Sequence, residues 1–340
     1  MKKLRIALLG AGRIGKLHAD NLVRSVANAQ LVALADPMLN DDTIEWAKSI
    51  GIERCEKDPS VLIADPDIDA VFICSSTATH ADLIRESAAA KKHIFCEKPI
   101  DHKLDRIREA LKAVEDAGVL LQIGFVRRFD HNHKKVRDTV ASGRLGKPHI
   151  VKVTSRDPEP QSAEYVKTSG GIFIDMTIHD FDMLRYLAGS EVVEVFAYGA
   201  IRIDPELEKL GDVDTAIVTV KFENGALGVV DNSRAARYGY DQRTEVHCDK
   251  GCVQVANDLI DTSMISTSDG VYCEKPTWFF LERYNQAFID EATAFVDAAL
   301  NGKPSPVNGN DGLQPVLIAL AADKSMREGR PVKISELSRD

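Results

Sequence analysis

A glycine-rich segment near the start of the chain constrains its fold more than any other feature. The apolar run 4–9 leads directly into Gly10, Gly12 and Gly15, which have the spacing G-x-G-x-x-G. A second apolar run ends in Asp36, 21 residues after Gly15. Strand, glycine turn, helix and second strand with a terminal acid together form the βαβ unit that is typical of dinucleotide binding.

Each glycine meets a different geometric need. Gly10 allows a tight turn, Gly12 lets the backbone approach a pyrophosphate, and Gly15 lets the helix pack close to the strand. The helix then begins near Arg13 and Ile14, which would cap the phosphate loop. Its first N–H groups and its partial positive charge would face the phosphates.

Asp36 predicts which dinucleotide is bound. A carboxylate at this position accepts hydrogen bonds from the adenosine ribose and repels a 2′-phosphate. Arg13 could face a phosphate, but no arginine follows Asp36. We therefore expect NAD rather than NADP. The alternative is a doubly wound domain whose loop binds another nucleotide or none.

Length and charge restrict the remaining possibilities. The chain has 340 residues, which is comfortable for two domains. Its net charge of −9, without a long basic run, argues against nucleic acid and anionic membranes as partners. The first apolar run is too short for a secretory signal, and no run approaches the ~18 residues of a membrane span. Six cysteines without a C-x-x-C pair indicate reduced thiols in the cytoplasm rather than a zinc site or disulfides.

The pattern of apolar residues divides the chain in two. Up to Gly124, short apolar runs alternate with helical patterns, which predicts a doubly wound parallel sheet in a domain covering 1–124. From 125 to 340, longer strands follow one another, which predicts an α+β domain with an antiparallel sheet. The predicted strands are 4–9, 30–35, 70–75, 92–96, 119–124, 148–156, 191–203, 213–223, 226–233 and 242–256. The predicted helices are 14–26, 80–90, 103–117, 130–142, 175–188, 282–301 and 311–328.

A second motif, Glu97-Lys98-Pro99, follows a predicted strand at the edge where open α/β sheets bind ligands. With this motif the sequence resembles the Gfo/Idh/MocA oxidoreductase family, and within it the inositol dehydrogenases. The resemblance implies an N-terminal Rossmann domain, a C-terminal α+β domain with an open, mostly antiparallel sheet, a homotetramer and a cis bond before Pro99. The segments that carry it are 10–15, 75–80, 97–99, 124–130, 155–158, 170–180 and 238–243.

The catalytic residues come from both predicted domains. Asp175 and His179 are four residues apart on the predicted helix 175–188 and so share one face, which Asp182 extends. Read alone, they could equally be a surface histidine and a carboxylate favoured by the helix dipole. With the resemblance, His179 is expected to take the hydroxyl proton, Lys98 to stabilise the developing alkoxide, and Asp175 to orient the hydroxyl. No metal is required.

Further contacts follow from the same resemblance. Arg127, Asp157, Asp182 and Tyr240, with Tyr238 as the alternative tyrosine, are expected to bind a cyclic polyol. The expected activity is NAD-dependent oxidation of myo-inositol to 2-keto-myo-inositol. Another inositol epimer, an aldose, or NAD binding without turnover are the alternatives; some inositol dehydrogenases carry histidine where Ser155 stands. The expected cofactor contacts beyond the glycine loop and Asp36 are Ser75, Ser76, Thr77, His80, Glu97 and Lys98. His80 could equally be a residue of the first helical turn, and Glu97 could instead position Lys98.

Overall fold

The chain folds into two compact units, each built from two stretches of sequence. A computed structural model describes residues 3–337. The first unit contains residues 3–126 and 286–314, and the second contains 127–285 and 315–337. Among residues 3–337, no helix is long and apolar enough to cross a membrane.

A six-stranded sheet forms the first unit, with the strand order β3-β2-β1-β4-β5-β6. All neighbouring strands are parallel, and β1 and β4 are buried almost throughout, as parallel sheets covered on both faces require. This confirms the predicted doubly wound sheet. The strands are β1 Leu4–Leu9, β2 Ala29–Ala35, β3 Arg54–Glu56, β4 Ala70–Ile73, β5 His93–Glu97 and β6 Leu121–Gly124. The helices are α1 Arg13–Arg24, α2 Asp41–Ser49, α3 Pro59–Ile63, α4 Thr77–Ala89 and α5 Leu104–Ala117.

A seven-stranded sheet forms the second unit, in the order β12-β11-β7-β10-β9-β8-β15. Its neighbours are antiparallel except β7 and β10, which confirms an open, mostly antiparallel sheet. The strands are β7 Pro148–Arg156, β8 Val192–Ala200, β9 Thr215–Phe222, β10 Leu227–Ser233, β11 Asp241–Cys248, β12 Gly251–Val255, β13 Met264–Thr267, β14 Gly270–Cys273 and β15 Val332–Lys333. The helices are α6 His131–Ala141, α7 Ala163–Ser169, α8 Gly171–Asp175, α9 Ile178–Ala188, α10 Leu207–Leu210 and α11 Phe280–Arg283, and a 3-10 turn covers Val126–Phe129.

The sheet of the second unit has two different faces. Helix α9 packs on one face of the sheet. Residues of β9 alternate between buried and exposed, as expected for a sheet that is covered on one face. On the other face Tyr198 lies opposite Ile217, and Leu227 lies opposite Ile150. These four side chains are 69%, 43%, 51% and 40% exposed, respectively. Within residues 3–337, no layer of the same unit covers this apolar face, as in proteins that bury such a face against a partner.

The last long helices correct the predicted domain boundary. Helix α12 (Asn285–Asn301) lies almost entirely in the first unit, and α13 (Gly309–Glu328) begins there. Ala292, Phe295 and Val296 of α12 belong to the same apolar core as β1 and β2. The chain therefore returns to its first unit after residue 285, because this buried stripe completes the core that the first 126 residues leave open. A division into 1–124 and 125–340 is too simple.

Candidate active site

The glycine loop of the first unit has the geometry expected for a pyrophosphate. Gly10 has a φ of 103°, and a Cβ there would lie 2.6 Å from the backbone nitrogen of Ser75. A Cβ on Gly15 would collide with the carbonyl oxygen of Gly10. A Cβ on Gly12, by contrast, would meet nothing within 4 Å, and Gly12 starts α1 without a side-chain cap. The exposed backbone and the uncapped N–H groups of α1 thus leave a cradle that fits a phosphate anion.

Asp36 is fixed beside this loop. Its Oδ2 accepts a hydrogen bond of 2.7 Å from the backbone nitrogen of Ala11, and its Oδ1 accepts one of 2.7 Å from that of Met38. The residue directly follows β2, and its carboxylate joins the end of this strand to the glycine loop. The structure therefore places Asp36 where the sequence predicted it, next to the cradle.

On the other side of β1, the chain after β4 carries the remaining predicted cofactor residues. Ser75 and Thr79 share a side-chain hydrogen bond of 2.7 Å, Ser76 precedes α4, and Thr77 is its first residue. His80 differs from expectation. It is 1% exposed, and its Nδ1 and Nε2 lie 2.8 Å and 3.0 Å from the carbonyl oxygens of Pro99 and Ser75. His80 therefore contacts two loops inside the unit. It has almost no exposed surface for a cofactor contact, because both ring nitrogens face backbone carbonyl groups.

The Glu97-Lys98-Pro99 motif lies at the carboxyl end of β5. Glu97 is its last residue, Lys98 is partly exposed, and the Lys98–Pro99 peptide bond is cis, as the family resemblance implies. The Glu97 Oε1 lies 2.8 Å from Nε2 of the buried His18. Open parallel sheets bind ligands beyond the carboxyl ends of their strands, so Lys98 occupies a position suited to contact a substrate or cofactor.

In the second unit, strand register brings the predicted substrate residues to one edge of the sheet. Strands β7 and β10 are parallel, so Asp157 and Arg234, which follow them, leave the sheet side by side. Strand β11 begins at the same edge, because Asp241 pairs with Arg156. Tyr240 therefore also lies there. The parallel pair β7–β10 within an otherwise antiparallel sheet brings these chain ends together, and no sequence pattern predicted that pairing.

A buried hydrogen-bond network centres on Arg127. Its guanidinium donates to Asp180, to Ser155 Oγ at 3.2 Å and to the Tyr240 hydroxyl at 3.3 Å. Asn232 donates to the second oxygen of Asp180 at 2.8 Å. Burial raises the pKa of Asp180, and the positive charge of Arg127, whose guanidinium keeps its proton in proteins, opposes that shift. Arg127 and Tyr240 are thus brought together as predicted, through Asp180, which sequence reasoning missed.

Asp175 is held by two residues that the sequence analysis did not identify. The Tyr165 hydroxyl donates to its Oδ1 at 2.8 Å, and both terminal nitrogens of Arg234 lie 3.3 Å from its Oδ2. Arg234 is 1% exposed, whereas the Asp175 side chain is 12% exposed. The buried Arg234 therefore orients the Asp175 carboxylate, and the Asp175 side chain remains partly accessible. An arginine directly after β10 was the available signal, but only the fold shows what it contacts.

The predicted helix 175–188 is interrupted, which changes how its polar residues are arranged. Helix α8 ends at Asp175, α9 begins at Ile178, and two turn residues separate them. Between the helices, the Thr177 hydroxyl donates to Asn232 Oδ1 at 2.7 Å, and this hydrogen bond links the turn to β10. His179 is the second residue of α9 and is partly exposed. Asp175 and His179 therefore flank a turn instead of sharing one helix face.

Asp182 does not join them. It is completely buried, and Arg128 donates to both of its carboxylate oxygens at distances between 2.6 and 3.1 Å. Arg185 lies 3.8 Å away on its own helix. Its side chain therefore faces Arg128 and Arg185 and not Arg127, and its expected contact with substrate stays a prediction.

Asp157 carries the most distinctive electrostatic feature of the site. The residue is partly exposed, yet desolvation raises the pKa of its carboxyl to about 6. The positive charges of Arg234 and Arg127 oppose this shift, while Asp175 and Asp180 add to it. These interactions place Asp157 among the residues described above. A carboxyl group with such a pKa changes its charge within the physiological range, as functional carboxylates often do.

The two candidate tyrosines have different environments. Tyr240 is 5% exposed and contacts Arg127, whereas Tyr238 is 45% exposed and bonds to Arg156 and Asp241. Tyr240 is thus the tyrosine of the Arg127 network, whereas Tyr238 lies outside it.

Comparison with known proteins places the chain in a family. Residues 4–125 match the model of the oxidoreductase family with an NAD-binding Rossmann fold, and residues 133–254 match the GFO/IDH/MocA C-terminal domain. The chain belongs to the Gfo/Idh/MocA oxidoreductase family. Its first unit is the NAD-binding domain of this family, in keeping with the cradle around Gly12 and with Asp36.

Individual relatives of this Gfo/Idh/MocA protein cover nearly its whole length. The uncharacterized oxidoreductase YrbE of Bacillus subtilis is 51% identical over 98% of this chain and 97% of its own. The myo-inositol 2-dehydrogenase of Thermotoga maritima is 46% identical over 98% of this chain and 99% of its own. A crystal structure of scyllo-inositol dehydrogenase from Lactobacillus casei, with bound NAD(H) and scyllo-inositol, has a TM-score of 0.91 at 31% identity and covers 98% of this chain and 100% of that one.

Proposed function

We propose that this protein catalyses the NAD-dependent oxidation of myo-inositol to 2-keto-myo-inositol. The observation that carries the proposal is the edge of the second unit's sheet, where Arg127, Asp157, Asp175 and Tyr240 present donors and acceptors together. A ring that bears a hydroxyl on each carbon needs such groups on several sides. The similarity to inositol dehydrogenases over the whole chain supports this substrate class.

In the proposed reaction, a secondary alcohol loses its hydroxyl proton and a hydride. His179 takes the proton as general base. Lys98, as an ammonium group, donates a hydrogen bond to the same oxygen and stabilises the developing alkoxide. Asp175 orients the hydroxyl; Tyr165 and Arg234 hold its carboxylate for this task. Bound NAD supplies the hydride acceptor at C4 of the nicotinamide.

The remaining contacts follow from the positions described above. We assign Arg127, Asp157 and Tyr240 to the polyol hydroxyls. On the cofactor, we assign Asp36 to the adenosine ribose, and the backbone from Gly10 to Gly15, with Arg13 and Ile14, to the pyrophosphate. We assign the nicotinamide half to Ser75, Ser76, Thr77 and Glu97. These residues lie at or after the carboxyl ends of β4 and β5, on the opposite side of β1 from β2.

Scyllo-inositol is the second candidate substrate. Ser155, the position at which some inositol dehydrogenases carry histidine, is completely buried and bonds to Arg127 and Gln242. It acts on the substrate only through Arg127, so the epimer preference depends on how this network directs the guanidinium. The same fold with scyllo-inositol in a relative supports the alternative.

A substrate panel tests the proposal. The purified enzyme is assayed with myo-, scyllo- and chiro-inositol, D-glucose, D-galactose and D-xylose, each with NAD and with NADP. We expect the highest kcat/KM for myo-inositol with NAD. His179→Ala, Lys98→Ala and Asp175→Asn should each lower kcat by ~10²–10⁴-fold. Failure of every inositol isomer to reduce NAD, or near-normal kcat in His179→Ala, would contradict the proposal.

We further propose a homotetramer in the cytoplasm. The uncovered sheet face around Tyr198, Ile217 and Leu227 supports assembly, because such an apolar surface is costly to leave in water. The six cysteines all carry free thiols, and Cys252 and Cys273 are exposed, which suits a reducing compartment.

A further inference from the structure

Three titratable side chains from three separate elements meet inside the first unit. They are His18 of α1, Glu97 at the end of β5 and Glu291 of α12. One nitrogen or oxygen atom of each lies within 4.8 Å of those of the other two. His18 and Glu291 are completely buried, while the Glu97 side chain is 14% exposed. The cluster therefore opens only at Glu97, on the edge of the sheet where cofactor is expected.

His18 is fixed by its surroundings. Its ring stands edge-on to Phe72, Phe95 and Phe288, with centroids 5.6, 5.0 and 5.6 Å away. This aromatic box leaves Nε2 aimed at Glu97, 2.8 Å from Oε1. Because a carboxylate accepts and does not donate, His18 donates its Nε2 proton in this bond.

Glu291 approaches Glu97 from the opposite element. Within the described part of the chain, neither of its carboxylate oxygens has a hydrogen-bond partner. The other titratable groups that interact with the cluster are His80, Cys74 and Cys96; burial raises the pKa values of both thiols well above 9. Two buried carboxyl groups this close cannot both be ionised without a compensating charge. Burial and the nearby Glu97 raise the pKa of Glu291 well above 4.5, which favours its neutral form.

Glu97 also depends on the absence of a side chain on the neighbouring strand. Gly124 pairs with it in β6, and a Cβ on Gly124 would lie 2.9 Å from Glu97 Oε2. The carboxylate thus rests over bare backbone, with His18 on one oxygen and Glu291 behind it. Its direction is therefore set from inside the domain.

We propose that His18 is a positioning residue which holds the Glu97 carboxylate against the ribose next to nicotinamide, and that Glu291 leaves this carboxylate in place by staying neutral. His18 acts as a hydrogen-bond donor. This inference rests on the proposed contact between Glu97 and that ribose.

Ligand binding to the intact enzyme tests the inference without turnover. ADP and ADP-ribose are each titrated in competition with NADH fluorescence at pH 7, because ADP lacks the second ribose. The ratio of their dissociation constants isolates the contact at Glu97. The variants are Glu97→Gln, His18→Phe, His18→Gln and Glu291→Gln, with exposed Glu86→Gln as the matched control. Metal content of the purified protein is measured in parallel.

We expect Glu97→Gln and His18→Phe to lower the preference for ADP-ribose by ~10-fold, the typical effect of losing a hydrogen bond to a charged group. His18→Gln keeps an amide donor near the same place and should restore most of the preference. Glu291→Gln keeps a neutral side chain of the same shape and should stay within about twofold of the wild type, as should Glu86→Gln.

Other results separate this inference from the proposed function. An unchanged ratio in Glu97→Gln removes the ribose contact itself, and with it the inference. A lowered ratio in Glu97→Gln with an unchanged ratio in His18→Phe shows that His18 only fills the core. If His18→Phe does not fold, His18→Gln decides by the same ratio. A loss in Glu291→Gln as large as in Glu97→Gln, or a stoichiometric divalent metal that Glu291→Gln removes, would show that Glu291 is ionised and overturn its role.

Discussion

At the scale of single residues, Asp157 combines accessibility with a pKa of about 6. If its carboxylate accepts a hydrogen bond from a polyol hydroxyl, protonation removes that acceptor and weakens binding. We therefore expect KM for myo-inositol to rise as the pH falls through about 6. Asp157→Asn should have a raised KM that no longer changes over this range. KM is measured between pH 5 and 8.

The matched control for this pH dependence is Asp105→Asn, since the Asp105 side chain is 82% exposed. It should keep the wild-type profile. If Asp157→Asn retains the same rise in KM at low pH, the titrating group is another residue and Asp157 is not a ligand of the substrate.

Glu291 gives a second prediction at this scale, on stability. Its pKa is raised in the folded state, so its contribution is fully present below the unfolded-state value near 4.5 and is lost as the pH rises toward its folded pKa. Over that range a single such group lowers stability by ~1.4 kcal/mol per pH unit. Glu291→Gln needs no proton to stay neutral. The variant should gain on the wild type as the pH rises above 4.5, as measured by urea unfolding.

The comparison between variants isolates this group from the many others that titrate. Glu86→Gln, at an exposed position, should parallel the wild type at every pH. A difference between Glu291→Gln and wild type that does not change with pH would mean that Glu291 has the same charge in the folded and unfolded states.

At the scale of elements, α12 belongs to the first core. Phe295 is completely buried and stands edge-on to Phe72 and Phe95, with centroids 5.2 and 6.0 Å away. Phe295→Ala should cost ~3–5 kcal/mol of unfolding free energy, because the removed ring leaves a cavity between two strands and a helix. NADH should protect the variant less than the wild type in thermal unfolding.

The exposed Thr293 on the same helix provides the control, and Thr293→Ala should be close to neutral. A loss below ~1 kcal/mol for Phe295→Ala would show that the core closes without this helix.

The same elements show how far the sequence alone could lead. Continuous apolar runs identified five of the six strands in the first unit, because strands buried on both faces need no polar partner. The short strand β3 was missed, since three residues carry little periodicity. Helices α2 and α3 were missed as well. The predicted strand 242–256 is the hairpin of β11 and β12, and its turn at Asp249 is fixed by a contact with Lys147. Such distant contacts leave no local pattern.

The site shows the same limit. Arg127 and Tyr240 were identified through motifs, and the structure brings them together. Asp180 and Arg234 were missed because their contacts depend on the parallel pairing of β7 with β10 and on the break before α9. Helical spacing predicted one continuous stripe of acids across residues 176–177, where the structure has a turn whose Thr177 hydroxyl bonds to Asn232 of a distant strand.

At the scale of the whole molecule, the uncovered sheet face supports the proposed assembly. Leu227 is 51% exposed and lies opposite Ile150 on that face. A charge there would have to be desolvated in any complex that uses the face. Leu227→Glu should therefore convert the proposed tetramer into smaller species, as measured by light scattering coupled to size-exclusion chromatography.

Val61→Glu is the matched control, because Val61 is similarly exposed, at 44%, but belongs to α3 of the first unit. It should leave the mass unchanged. NADH affinity should also be unchanged in Leu227→Glu, since the cradle around Gly12 is built within one unit. An intact tetramer in Leu227→Glu would mean that the subunits associate through another surface and that the apolar face is covered in some other way.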